Sequence, residues 1–353
     1  MTQRLDNRVD VKTISQVRTW TVREANRDDD AGLAELFRAV FQFERGDTHD
    51  RWKFIDNPDG PPVIAVAEDA GRLVGQYALW PTQLRLGSTV VLGAQSLDTM
   101  THPDYRGQGM FTALAEQCMK YAAVKGIAAL YGFPNENSYP GFVRKLDWDC
   151  TGTIPLWVRP LRPSAHHRIP RWAGPLADLG AKVLPSGRTR SFRVDDVPPD
   201  SNAIDALLEE WRTLAGRCRV ERTADRYLWR FSPASGMQYR WACAYEGDRL
   251  AALAVWGVDI RNGNAVLAEV IGRLPDAIEA VVSTVVRQAR QNNCSIMRAA
   301  SSVMQVRHAL KRTGFIQFGN LPLIVRKLTT ETLGTNVHTH ELWDIFGADL
   351  DTF

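Results

Sequence analysis

The chain has 353 residues, 44% of them apolar and 24% charged, with a net charge of +3. This composition belongs to a globular, water-compatible protein with ample material for a core. It excludes a membrane span, because no apolar run reaches the roughly 18–20 residues one needs.

The polar start, Met1 to Val11, has no apolar stretch of the secretory kind, so a cytoplasmic location and no membrane partner are expected. Cys118, Cys150, Cys218, Cys243 and Cys294 are scattered without a CxxC pair, which argues against both a disulfide framework and a zinc centre. The mild positive charge suits an anionic small ligand and falls short of a nucleic-acid binder, so no nucleic-acid partner is expected.

In chain order, a tail is expected over 1–17. Leu33, Leu36, Phe37, Val40 and Phe41 then recur at helical spacing. A short helix bearing Trp52 follows, then two strands joined by a tight turn at Ala70-Gly71. A third strand, Thr89 to Thr101, leads through a glycine-rich turn into a helix with Phe111, Leu114, Cys118 and Tyr121 on one face, ending at Gly126. Ile127 to Phe133 is a short apolar run suited to a buried strand, and a last helix follows it.

The segment from Thr151 to Asp200 is rich in proline and arginine and reads as a connector. Within it Trp172, Leu176, Leu179 and Val183 have helical spacing and are expected to pack against a domain. After it the first pattern returns. Trp52-Lys53-Phe54 is echoed by Trp229-Arg230-Phe231, 177 positions on, and Arg72-Leu73 by Arg249-Leu250 at the same offset. The helix of Leu33 to Phe41 is matched by Ile204, Leu207, Leu208, Trp211 and Leu214, the third strand by Asn264 to Gly272, and VRKLDW at Val143 by LKRTGF at Leu310.

An internal repeat of this kind predicts a mixed α/β (α+β) architecture. Its units are a tail (1–17), a first domain (18–150), the connector (151–200), a second domain (201–330) and a tail (331–353). Each domain is expected to be a mixed, mostly antiparallel sheet flanked by helices. The aromatic-acidic end, Glu341 to Phe353, is expected to dock back on the body. His166-His167 and His338-Thr339-His340-Glu341 lack the fixed geometry a metal needs, and no metal is expected.

The chemistry lies between Leu97 and Trp148. A strand ends near Thr101, and Arg106-Gly107-Gln108-Gly109-Met110 opens a helix. Glycines allow close approach of a ligand to the backbone, the first-turn N–H groups point outward with the positive dipole end, and Arg106 adds a charge. That is an anion cradle suited to a pyrophosphate. Neither the dinucleotide GxGxxG nor the Walker pattern is matched.

The stretch instead resembles the GNAT acyltransferase pattern Gln/Arg-x-x-Gly-x-Gly/Ala, preceded by a Pro-x-Tyr turn. Arg106 and Gly109 match its first two fixed positions, and Phe111 stands where the family has Gly or Ala. Asn135-Glu136-Asn137-Ser138-Tyr139-Pro140-Gly141-Phe142 is similar to the Asn-bearing turn and short helix that follow in that family, in the version found in tandem-domain and aminoglycoside-type members. The resemblance covers residues 18–150 well and 200–328 only as a pattern of elements.

It implies an acyl-CoA co-substrate, acetyl-CoA by default, with Arg106, Gly107, Gln108, Gly109, Met110 and Phe111 around the phosphates. Thr99, Met100 and Thr101 would pair with the pantetheine through their backbone. Asn137 would contact the pantetheine or cap the next helix. The family's acid tyrosine aligns with Val143, which leaves Tyr139 as substitute acid or as a packing residue. Asp98, an acid within an apolar run, is the candidate base, with pairing to an arginine as the alternative; Gln95 has a similar but weaker claim, and His102 is expected to face solvent.

The second copy reads Gly272-Arg273-Leu274-Pro275-Asp276-Ala277-Ile278 where the first has its cradle. Its glycines are missing and Asp276 would repel a phosphate, so this copy is degenerate and one coenzyme per chain is expected. It would supply a wall of the acceptor pocket or a homodimer surface. The acceptor is expected to be a primary amine on a small molecule, on the resemblance to two-domain sugar acyltransferases a nucleotide-linked amino sugar. The alternatives are an aminoglycoside or polyamine, a tRNA-dependent aminoacyl or peptidyl transferase, and a non-catalytic CoA-binding module.

Overall fold

The computed structural model describes residues 19–165, 170–185, 187, 192–214, 216, 218–259 and 262–350. The tail read over 1–17, the pair His166-His167 and the last three residues lie outside these. The elements run β1 (Thr21–Glu24), α1 (Asp30–Phe41), α2 (Asp47–Phe54), β2 (Val63–Asp69), β3 (Arg72–Leu86), β4 (Thr89–Thr101), α3 (Met110–Val124), β5 (Ala129–Gly132), α4 (Tyr139–Lys145) and β6 (Asp149–Pro160). They continue with α5 (Gly174–Val183), β7 (Arg193–Asp195), α6 (Ser201–Leu214), β8 (Cys218–Val220), α7 (Ala224–Arg230), β9 (Tyr239–Glu246), β10 (Arg249–Asp259) and β11 (Asn264–Gly272). The last are α8 (Pro275–Gln291), β12 (Ile296–Ala300), α9 (Met304–Arg312), β13 (Ile316–Lys327) and β14 (Trp343–Asp344).

The strands form one mixed, mostly antiparallel sheet in the order β1-β2-β3-β4-β5-β13-β6-β12-β11-β10-β9-β7, with β8 attached to β3 and β14 to β8. Read from either edge, the order is the same. β13 lies against β5, Ile324 opposite Gly132, while β6 lies against β12, Ile296 opposite Pro160. The last strand of each sequence repeat therefore completes the sheet of the other. β6 takes up the first part of the segment read as connector. Its partners β12 and β13 are far along the chain, and local sequence carries no trace of them.

Helices cover both faces of the sheet, so central strands are buried almost throughout: Val74, Tyr77, Ala78, Leu79 and Leu84 on β3, and Ala251 to Trp256 on β10. One cluster packs α3 and α4 on β2 to β5, and a larger one packs α6, α8 and α9 on β9 to β12. Where the repeats meet, Trp52 and Trp229 stack with centroids 5.3 Å apart. Each indole donates to the other's carbonyl oxygen, at 2.8 and 3.1 Å.

The helix of Trp172, Leu176, Leu179 and Val183 does not pack as expected. It forms as α5, but these four side chains are 59–80% exposed. Gly174 and Ala181 face the body instead.

Candidate active site

β4 pairs with β3 along its length but with β5 only from Gly93 to Ser96, opposite Ala129 to Gly132. Beyond that point β5 ends and the chain turns away through Pro134 to α4. The two parallel strands thus part like a V, and among the described residues no strand pairs with the edge of β4 away from β3 between Leu97 and Thr101. Thr99, Met100 and Thr101 lie on this open edge, where an extended, amide-bearing ligand can pair with the backbone. At the fork, Ser96 Oγ donates to the buried Tyr77 hydroxyl at 2.8 Å.

A bulge marks the same place. Between Gln76 opposite Met100 and Ala78 opposite Leu97, two β4 residues, Asp98 and Thr99, face the single Tyr77. Asp98 has φ +45°. Bulges of this kind re-aim a side chain, and Asp98 is aimed at α2. Its carboxylate pairs with Arg45 at 2.5 Å and Lys53 at 3.0 Å, all three side chains largely buried. Burial pushes its pKa up, but Lys53 and Arg45 together outweigh this and hold it below the usual carboxylate range. The residue expected as base is therefore a neutralised anion that fixes the bulge, the pairing alternative having prevailed. Its carbonyl accepts from Gln76 Nε2 at 2.9 Å.

β4 runs on into the cradle. His102 N–H bonds to Val74 O, Tyr105 Oη donates to Asp69 at 2.6 Å, and Gln108 Oε1 accepts from Trp20 at 3.0 Å, which pins the loop from both sides. Gly107 (φ +79°) and Gly109 (φ +76°) take left-handed backbone that other residues adopt only at a cost, and no atom lies within 4 Å of where a Cβ on Gly107 would be. Arg106 is exposed beside them. The first-turn N–H groups of α3 have no intrahelical partner and face this open space. His102, expected at solvent, is 8% exposed; its Nε2 meets Arg72 at 3.1 Å.

Phe111 departs from the family pattern, and its surroundings give the reason. Its ring lies 6.2 Å from that of Tyr77 and 5.2 Å from that of Phe142. A Cβ on Gly141 would come within 2.8 Å of it. The ring fills the seam between α3 and α4 while the backbone of the cradle stays clear.

α4 forms the far wall. Asn135 Oδ1 accepts from the N–H groups of Asn137 and Ser138 in the turn before α4, whose N-cap position is held by Ser138; Asn137 does not cap the helix, and its own side chain is exposed. Tyr139 opens the helix, half-buried. The neighbouring Cys150 thiol first, and then burial, raise its pKa, which keeps the hydroxyl protonated and makes it a weaker acid than a free tyrosine. Gln95 is buried on β4 between Trp80 and Tyr131.

The second repeat has a fork of its own: β11 pairs with β12 only from Ala265 to Leu267. Protein fills it. Beside the extra residue Ala268, where β11 bulges against β10, Glu269 binds Arg222 at 3.0 Å; Arg222 also grips Asp349 of the C-terminal segment at 2.9 Å. Phe346 and Leu350 are buried there, and Arg230 holds the carbonyls of Ala348 and Leu350. The aromatic-acidic end thus docks on the body, as expected over its described part. At α8 the helix starts with Pro275 and Asp276, without a left-handed glycine.

The described residues contain no group of three or more possible metal ligands. His338 binds Asp149 at 3.0 Å and His340 the carbonyl of Thr153 at 2.9 Å.

Residues 21–151 match the acetyltransferase (GNAT) domain family. No curated protein sequence matches the chain. Among solved structures, a GCN5-related N-acetyltransferase from Anabaena variabilis aligns over 88% of this chain and 73% of its own, with 14% identity and a TM-score of 0.63. A probable N-acyltransferase from Enterococcus faecalis gives the same coverage and identity with a TM-score of 0.64. Saccharomyces cerevisiae N-myristoyltransferase, solved with bound myristoyl-CoA, covers 90% of this chain and 81% of its own at 11% identity and a TM-score of 0.64. Residues 21–151 are thus similar to a GNAT acetyltransferase domain, and the chain as a whole shares the fold of these solved structures.

Proposed function

We propose that the protein is an acyl-CoA-dependent N-acyltransferase built from two GNAT-like halves, the first of which binds one coenzyme. The observation that carries this reading is the continuity of the V between β4 and β5 with the Arg106–Gly109 cradle. A thioester held by the open edge of β4 would lie at the bulge, with its phosphates on the cradle. The acceptor amine, having left its ammonium proton in solvent, attacks the carbonyl carbon; the C–N bond forms, the C–S bond breaks, the thiolate takes a proton from Tyr139, and the proton shed by the new amide nitrogen returns through solvent to Tyr139. Acetyl is the default acyl group.

The proposed acceptor is a primary amine on a small molecule, with a nucleotide-linked amino sugar favoured by the net positive charge and an aminoglycoside or polyamine next. No inserted coiled coil of the tRNA-dependent kind interrupts the described residues. The test is calorimetric titration with CoA and acetyl-CoA of the wild type and of an Arg106→Ala, Gly109→Asp double variant. One equivalent for the wild type and none for the variant is expected. No binding, or two equivalents, defeats the single-site reading.

A further inference from the structure

At the apex of the V stand two hydroxyl groups that the proposed reaction has not yet used. Ser96 is the last β4 residue paired with β5, opposite Gly132, and its side chain is half-buried. Its Oγ lies 2.8 Å from the Tyr77 hydroxyl. Tyr77 is 0% exposed, its ring against those of Phe111 and Phe142 at 6.2 and 6.3 Å. Burial holds its pKa far above the usual tyrosine value, so the phenol keeps its proton. Among the described residues no third group bonds to either hydroxyl. Two hydroxyls carry two protons, and the bond between them uses one. Tyr77 is closed in by apolar rings, so only Ser96 can turn a proton outward, and it does so when Tyr77 donates to it in return. The pair is then a donor with one open end, at the point where β4 and β5 part.

Packing of the sheet does not require this pair, as the second repeat shows. At the 177-residue offset Tyr77 corresponds to Ala254, and the last β11 residue paired with β12 is Leu267, opposite Ala299. Ala254 and Leu267 are 0 and 3% exposed. The fork that protein fills thus has apolar side chains where the first fork has two hydroxyls. The place of the pair also fits one atom of the coenzyme. With the phosphates on the Arg106–Gly109 cradle and the pantetheine along Thr101 to Thr99, the thioester is the end that reaches the bulge. Ser96 lies two residues further, about 7 Å along the strand from Asp98. A carbonyl oxygen there is an acceptor in need of a donor.

Resting on the acyl-CoA reading of this fork, we infer that Ser96 donates a hydrogen bond to the thioester carbonyl oxygen, with Tyr77 as its positioning residue. The bond tightens as that oxygen takes up negative charge during attack. Calorimetry comes first: the full chain as wild type, Ser96→Ala, Ser96→Thr and Tyr77→Phe should bind acetyl-CoA with affinities within about ten-fold of one another. Infrared difference spectra of bound acetyl-CoA, isotope-labelled at the carbonyl, then report on the bond itself. In the wild type the carbonyl stretch should fall below that of free acetyl-CoA. It should return toward the free value in Ser96→Ala, recover in Ser96→Thr, and lie between in Tyr77→Phe, which keeps the ring. A merely structural pair would leave the stretch unmoved. Equal stretches in wild type and Ser96→Ala overturn the inference and leave the acyltransferase reading standing. Wild type that binds no coenzyme defeats that reading, and the role of Ser96 with it.

Discussion

Asp98 shows how neighbours decide a carboxylate's role. Arg45 and Lys53 are 13 and 6% exposed at the side chain; without the anion between them Arg45 would keep only Asp50, and the buried Lys53 would lose its ion pair. Asp98→Asn is expected to cost about 3–5 kcal/mol of stability at pH 7. The folded pKa lies below the unfolded one, so this contribution is complete above about pH 4 and fades as the pH falls through the folded value. Urea denaturation at pH 7 and pH 3 checks it, and an equal loss at both would contradict the ion-pair account. Tyr139→Phe should lower kcat by about 10²–10⁴-fold with coenzyme affinity retained; an unchanged kcat would leave Tyr139 as a packing residue. The cradle was legible in sequence because its requirement falls on the backbone and shows as glycines within four residues. The partners of Asp98 were not, since Arg45 lies 53 positions away. The repeat held a clue: at its 177-residue offset, Arg45 and Lys53 correspond to Arg222 and Arg230.

Among the elements, those fixed by local pattern formed where periodicity placed them. α1, α6, the hairpin turn at Ala70-Gly71 and both third strands are examples. Those fixed by distant partners did not. β6 reads as the beginning of a loop, and α5 keeps its helical period while reversing the face that a period alone would bury. The C-terminal segment behaves as an element of the second repeat, since Asp349 shares Arg222 with Glu269. Burial, with help from Asp349 and against Arg222, pushes the Glu269 carboxyl up to about 7. A carboxyl raised on folding favours the folded state at low pH, and that benefit is lost as the pH rises through its folded value. Glu269→Gln should therefore gain stability relative to wild type, by about 2 kcal/mol, between pH 5.5 and pH 8.5. Thermal unfolding across that range tests it, and a constant difference would show that Glu269 stays ionised throughout.

For the whole molecule, the decisive feature is the crossing of the last strands. A fragment of residues 1–165 contains every residue of the cradle, yet it lacks β13, so β5 keeps a bare edge and β6 loses both neighbours. Such a fragment is expected to show no cooperative unfolding transition and no coenzyme binding. A fragment that melts sharply and binds CoA would make the exchanged strand dispensable.

The crossing also sets a timetable for synthesis. β5 has left the ribosome when Gly132 emerges, but its neighbour begins only at Ile316. At ordinary elongation rates that gap takes about 10–40 s. Throughout it, the nascent first half offers an unpaired apolar strand edge to whatever is near. The part that reads as a self-sufficient coenzyme-binding unit is thus among the last to be finished.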